Sequence, residues 1–422
     1  MSLNSVLTLL NTNSITNYGD FVLKSGKKSN VYLNFRRLTM YPNLFENICQ
    51  EMVDLMVKNN LLKIYAEPFI NYEPAIYPVP DGATPLATAI TTKTKKYLIT
   101  SKKEHKGYGI DQLVNCDPTL NCNVIIIEDV ITTGSSTLKA IQRLQEHAPN
   151  IVVTGIVCLV DRRDDPTQLL NGHKVYSLFP FSFIKEYPNI KQSNHALVKL
   201  AYFSALRRTR VIASIDVSNF GEMLTIIDAI KDYVCGVKIH HDLYTNFNEY
   251  PFYNLRKELV IIEDRKIADI GMIAKRQCEF IAEWADVITV HCIAGPESVK
   301  GLESLGLATL LVSEMSSANN LITDEYTNSV YEIANQGSNV IGLISQKKQR
   351  DLPGKVFMTP GVHRFINTDS KDQRYRTVKQ ALENDDNDFI IVGRGIYGYD
   401  DTIENIIENA KAYQKESYNC KK

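Results

Sequence analysis

An α/β chain in two parts is what this sequence predicts: an open sheet followed by a closed (β/α)8 barrel. Three observations carry that reading. In the first half, apolar strand candidates alternate with helical patterns, as in an open α/β sheet. A change of rhythm near residue 190 separates the halves, with boundaries at 1–190 and 191–422. The second half then repeats strand and helix eight times in about 220 residues, the size and count of a TIM barrel.

The first-half strand candidates are "AIYPV" (75–79), "YLIT" (97–100), "NVIIIED" (123–129) and "IVVTGIVCLVD" (151–161). Ser136 to His147 reads as a helix, with Leu138, Ile141 and Leu144 on one side. Next, "SFIKEYPNIKQSN" reads as a connector and "HALVKLAYFSALRR" as an amphipathic helix. The barrel candidates are "VIASID" (211–216), "GVKIH" (236–240), "LVIIED" (259–264) and "VITVHC" (287–292), then "TLLVSEM" (309–315), "NVIGLIS" (339–345), "VFMTP" (356–360) and "FIIVGRG" (389–395). Asp216, Lys238, Asp264, His291, Ser316 and Arg394 fall at or just beyond strand ends, on the face where such barrels hold their active sites.

Composition narrows the partners. The chain is 44% hydrophobic and 23% charged, with a net charge of -1, which gives no reason to expect nucleic acid or an anionic membrane. Any basic cluster is therefore local and aimed at a small anion. The eight cysteines contain no Cys-x-x-Cys, so a reducing cytoplasm is the expected home. "MSLNSVLTLLNTNSITNYGDF" lacks the basic start and long apolar stretch of a signal peptide, and no run is long enough to span a membrane.

"VIIIEDVITTGSST" (124–137) is the sharpest motif of the first half. A buried strand ends in Glu128 and Asp129. Thr132, Thr133, Gly134, Ser135 and Ser136 follow and lead into a helix. Backbone N–H groups at that helix start, with the hydroxyls, make a phosphate cradle. The two carboxylates suit ribose hydroxyls or a Mg²⁺ that keeps its waters rather than being ligated directly by protein. In the second half, Asp264 and Lys266 are two apart and are expected to project the same way from their strand, with Lys238 ending the strand before. Such a lysine–aspartate–lysine array is neutralised internally and can deliver a proton from a lysine.

These motifs resemble known families. The Glu128–Ser136 segment is similar to the phosphoribosyl-pyrophosphate (PRPP) signature of type I phosphoribosyltransferases. With it, "DFVLKSGKKSNVYLNFR" (20–36), "PVPDGATPLATAI" (78–90) and "SKKEHKGYG" (101–109) resemble three segments of orotate phosphoribosyltransferase, in order. That resemblance implies that Lys24 touches orotate or diphosphate and that Lys102, Lys103 and Lys106 bind PRPP, Lys106 taking the catalytic loop lysine's place. It also implies that Thr132 and Arg162 meet orotate. Gly107, Tyr108 and Asp81 depart from the family's usual residues.

The second half is similar to orotidine 5′-monophosphate decarboxylase over nearly all of residues 195–415. The resemblance rests on "SIDV" (214–217), "VKIHHD" (237–242), "EDRKIADIG" (263–271), "EMSS" (314–317), "MTPGV" (358–362), "DQRYRT" (372–377) and "IIVGRGI" (390–396). It implies that Asp264 lies against the substrate carboxylate while Lys266 protonates C6, with Lys238 and Asp216 holding the ribose and the charge array. Asp269 would reach the partner's site in a homodimer. Gln373, Tyr375 and Arg394 would grip the 5′-phosphate, Ser316 the pyrimidine edge, and Pro360 and Gly393 would line the OMP site. No cofactor is implied for this step. After "ADIG" the family continues Asn-Thr-Val, whereas here Met272, Ile273 and Ala274 follow. The order of the two halves resembles the bifunctional uridine 5′-monophosphate synthase family. Two other readings are compatible with the motifs: a transferase whose barrel is weakened or repurposed for another sugar phosphate, and a PRPP-sensing regulatory protein.

Overall fold

In the computed structural model the chain divides into two compact units, Met1–Pro188 and Asn189–Lys422. The structure describes residues 3–23, 26–62, 74–102, 113–190, 194–317, 319–365, 375–398 and 401–420. Lys24, Lys103, Lys106 and Gln373 lie outside the described residues.

The first unit is built on five parallel strands, β1 (Ala75–Pro78), β2 (Tyr97–Leu98), β3 (Asn123–Ile131), β4 (Val152–Asp161) and β5 (Val175–Phe179), in the order β2-β1-β3-β4-β5. Val124, Ile125, Ile126 and Ile127 of β3 are all fully buried, because both sheet faces are covered, as parallel sheets require. The strand order reverses between β1 and β3, and ligands of open α/β sheets bind beyond the strand ends at such a reversal. Helix α1 (Ser135–His147) leaves β3 there, burying Thr137, Ala140, Ile141 and Leu144. An antiparallel hairpin, Thr16–Val22 with Lys28–Leu33, stands apart from this sheet.

The segment read as a connector is helical instead over Phe181–Ile190, with Pro188 inside. Phe183, Ile184 and Tyr187 share one buried face, and that burial overrides the proline near the helix end. Helix α2 (His195–Arg207) opens the second unit, and the Asn194 side chain accepts from Ala196 N–H as its cap.

All eight barrel strands form and close. They are β6 (Val211–Ser214), β7 (Gly236–Ile239), β8 (Val260–Ile267), β9 (Val287–Val290), β10 (Ala308–Val312), β11 (Val340–Ile344), β12 (Val356–Thr359) and β13 (Phe389–Val392), every neighbouring pair parallel and β13 pairing back onto β6. Helix α3 (Gly271–Trp284) follows β8. The register between β8 and β9 slips between Glu263 and Ile267, where four residues of β8 span two of β9. Lys266 within this bulge has a φ of +51°, a left-handed backbone that few non-glycine residues adopt. Such residues cluster at functional sites.

Candidate active sites

At the sheet reversal of the first unit, Gly82 brings the loop after β1 against β3. A Cβ on Gly82 would sit 2.7 Å from Asp129 Oδ2, so only glycine allows this approach. Gly134, with a φ of +79°, turns the chain from β3 into α1, and a Cβ there would strike Leu170 at 2.5 Å. Glu128, Asp129 and Thr132 through Ser136 line a cavity of about 220 Å³ together with Gly82 and Arg36. A second cavity of about 790 Å³ shares Thr132 and Thr133 and reaches Arg162, the hairpin lysines Lys27 and Lys28, and Lys185. The Arg162 guanidinium donates to Ser29 Oγ at 2.8 Å and lies 4.4 Å over the Phe181 ring. Lys102, expected to hold PRPP, lines neither cavity; its carbonyl accepts from Arg143 at 3.4 Å.

Glu128 is buried. Thr137 donates to its Oε2 at 3.2 Å and the Asp129 N–H to its Oε1 at 3.1 Å. Burial, with Asp129 beside it, pushes the Glu128 carboxyl up to about 9, so it holds a proton at neutral pH. Beside it, Asp129 and the hydroxyls of Thr132 to Ser136 are oxygen donors of the kind hard cations accept, while Arg36 on the same wall suits an anion.

The barrel site forms at the C-terminal ends of the strands. Asp216, Lys238, Asp264, Lys266, Ser316, Pro360, Tyr375, Gly393 and Arg394 all line one cavity of about 300 Å³. Asp264 is its electrostatic centre. Lys238 Nζ pairs with it, Lys266 Nζ lies 2.9 Å from Oδ2, and His240 Nε2 lies 3.4 Å from the same oxygen. Thr289 donates to Oδ1 at 2.8 Å and accepts from the Lys266 N–H at 3.0 Å. Burial opposes the charge on Asp264, yet Lys238, His240 and Lys266 hold its carboxyl well below the usual carboxylate range. Burial also opposes the charge on Lys238, and Asp264 with Asp216 more than offsets it, raising the ammonium above its ordinary value.

Simple strand alternation does not account for the convergence of Asp264 and Lys266. They meet through the β8 bulge and the left-handed Lys266. Beyond β13, at the rim of the same cavity, Arg394 donates to the Tyr375 hydroxyl at 2.8 Å. His291 does not line the cavity; its Nδ1 lies 3.5 Å from the Tyr326 hydroxyl. Asp269 does not line it either. Its oxygens accept from Ile270 N–H at 2.8 Å and from Gln277 at 3.3 Å.

Sequence reasoning missed Arg36, Lys27 and Lys28 in the first unit and His240, Thr289 and Glu314 in the barrel. His240 had a signal, since it stands two residues beyond Lys238 and shares its strand face. Glu314 accepts from Lys347 N–H at 3.2 Å and from Gln349 at 2.9 Å, bracing the loop after β11 at the cavity rim.

Residues 209–408 match the family model of the orotidine 5′-phosphate decarboxylase / HUMPS family. The uridine 5′-monophosphate synthase of Bos taurus is 32% identical, over 99% of this chain and 97% of its own length. The protein of the same name from Caenorhabditis elegans is 25% identical, over 93% of this chain and 92% of its own. The solved structure of orotate phosphoribosyltransferase from Aeropyrum pernix is 26% identical and covers 43% of this chain and 97% of its own, with a TM-score of 0.37.

Proposed function

The chain belongs to the uridine 5′-monophosphate synthase family and is a bifunctional enzyme of pyrimidine biosynthesis, taking orotate to OMP and OMP to UMP; we propose that the first unit performs the transfer and the barrel the decarboxylation, through the residues described above. The observation that carries this reading is the Lys238–Asp264–Lys266 array inside a barrel cavity that also holds Tyr375 and Arg394. A match over 99% of the chain does not favour a repurposed barrel or a sensor.

In the first unit, the N–H groups and hydroxyls of Thr132 to Ser136 take the 5′-phosphate of PRPP, and Glu128 and Asp129 face its ribose. Arg162 and Thr132 orient orotate, and Lys24, Lys102 and Lys103 hold PRPP or diphosphate. Lys106 offsets charge on the departing diphosphate. Mg²⁺ bound with PRPP would lie near Glu128 and Asp129 and would supply further charge neutralisation, without direct protein ligation. In the barrel, Gln373, Tyr375 and Arg394 hold the OMP phosphate, Ser316 the pyrimidine edge, and Asp216 with Lys238 the ribose; Pro360 and Gly393 line the site. The substrate carboxylate lies beside Asp264. As the bond to CO2 breaks, its electron pair stays on C6 and takes a proton from Lys266; the pre-placed ammonium stabilises that developing charge. Asp269 completes the site of a second copy in a homodimer, and the enzyme works in the cytoplasm. Among the described residues, no helix is long and apolar enough to cross a membrane.

The test supplies orotate, PRPP and Mg²⁺ to the full chain and follows OMP and UMP. Both should form. OMP without UMP would leave a repurposed barrel, and neither product would leave the sensor. For the shared site, inactive Asp269→Ala and Lys266→Ala chains should regain decarboxylation on mixing; no recovery with subunit exchange verified rejects it.

A further inference from the structure

Glu263 stands one residue before Asp264 and is fully buried, at 0% exposure. A carboxylate taken out of water requires compensation. Here it comes from the end of β7. The His241 backbone N–H donates to Glu263 Oε2 at 3.1 Å, and His241 Nδ1 lies 3.0 Å from Oε1. The two side chains lie close without a directed hydrogen bond between them, since neither His241 Nδ1 nor Glu263 Oε1 makes one. Phe247, Phe280 and Trp284 surround the His241 ring at centroid distances of 5.6, 6.2 and 5.8 Å. His241 Nδ1 and Glu263 Oε1 are both buried beside these rings.

The location gives the pair its importance. Glu263 is the last β8 residue paired with Ile239 on one side and with Ile288 on the other before the register slips. Beyond it the catalytic stretch Asp264–Lys266 runs through the bulge without regular ladder support. Thr289 ties that stretch to β9. On the β7 side, the backbone of the turn that follows Lys238 is tied by Glu263. We propose that Glu263 and His241 form a clamp that positions the Lys238–Asp264–Lys266 array for decarboxylation, resting on the decarboxylase reading above. They touch no reacting atom and act through the strands that carry the array.

A slack array slows the chemical step while the phosphate grip, on other strands, stays intact; misplacement by about 1 Å can cost on the order of 10²-fold. In the full chain, Glu263→Ala should lower kcat for OMP about ten- to a hundredfold and leave KM within about threefold, with the transferase rate unchanged. Glu263→Gln keeps an acceptor for the His241 N–H and should recover most of the rate. His241→Pro, at the first position of a short helix where proline is tolerated, removes that N–H, should fall the same way, and remains informative if Glu263→Ala does not fold. The double variant should be no slower than the slower single one, because one clamp is lost once. An unchanged kcat, a loss confined to KM, no rescue by glutamine, or additive losses would overturn the clamp. Wild-type enzyme assayed alongside separates this from the premise: if it fails to decarboxylate OMP, the decarboxylase reading itself fails.

Discussion

Thr289 uses one hydroxyl twice, giving its proton to Asp264 and receiving the Lys266 N–H. Thr289→Val keeps the shape and removes both bonds. A hydrogen bond to a charged group contributes about 1.5–3 kcal/mol, so kcat for OMP should fall about ten- to a hundredfold, while OMP formation from orotate is unaffected. A variant with wild-type kcat would remove Thr289 from the array. Glu128 presents the opposite electrostatic case to Asp264. Its carboxyl is raised to about 9 in the folded chain and is near 4.3 when unfolded. Between those values folding takes up a proton, so this group's contribution to stability falls as pH rises. Glutamine does not titrate. Glu128→Gln should therefore raise the melting temperature of the first unit at pH 8, by about 2–4 °C per kcal/mol recovered, with the gain gone near pH 4 and transferase activity reduced. An equal gain at both pH values would contradict the buried proton.

Element by element, β1, the centre of β3 and the barrel strands were legible because they are buried on both faces and so read as unbroken runs. The hairpin of residues 16–33 was not; only Thr16, Val31 and Leu33 are buried in it, and its strands read as polar surface. The Phe181–Ile190 helix was hidden by Pro188, because its buried face becomes visible only once packed. In the site, the Asp-x-Lys spacing announced the pair, but the bulge that joins them left no mark in the sequence. Thr289 lies in β9, while His240 and Glu314 follow the ends of β7 and β10, so closure of the barrel is what assembles them. Helix α3 carries the departure at Met272 and Ile273, Met272 being 63% exposed. Where the resembled family has threonine, Ile273 offers the ribose no hydrogen bond. One such bond is worth about 0.5–1.5 kcal/mol, so Ile273→Thr should raise kcat/KM for OMP several-fold, chiefly through KM. No gain in kcat/KM would show that another group already serves the ribose.

Across the whole molecule, the two units differ in how their sheets end. The barrel has no free margin, since β13 returns to β6. Among the described residues, the first unit's sheet stops at β2 on one side and β5 on the other. Exposed strand margins recruit strands from other chains and nucleate aggregation, and short, lysine-flanked margins resist it. β2 is only two residues long, its Tyr97 is 67% exposed, and Lys95 and Lys96 stand immediately before it. Lysines flanking a strand margin are gatekeeper residues of the kind that hold a second chain off by charge and hydration. Removing both with Lys95→Asn and Lys96→Thr should leave both activities intact at 25 °C yet lower the temperature at which light scattering begins on heating; an unchanged onset would show that the margin is guarded by its shortness alone. On its β2 side the transferase sheet thus meets other chains through a two-residue border, while the barrel, having no border, contributes no such template.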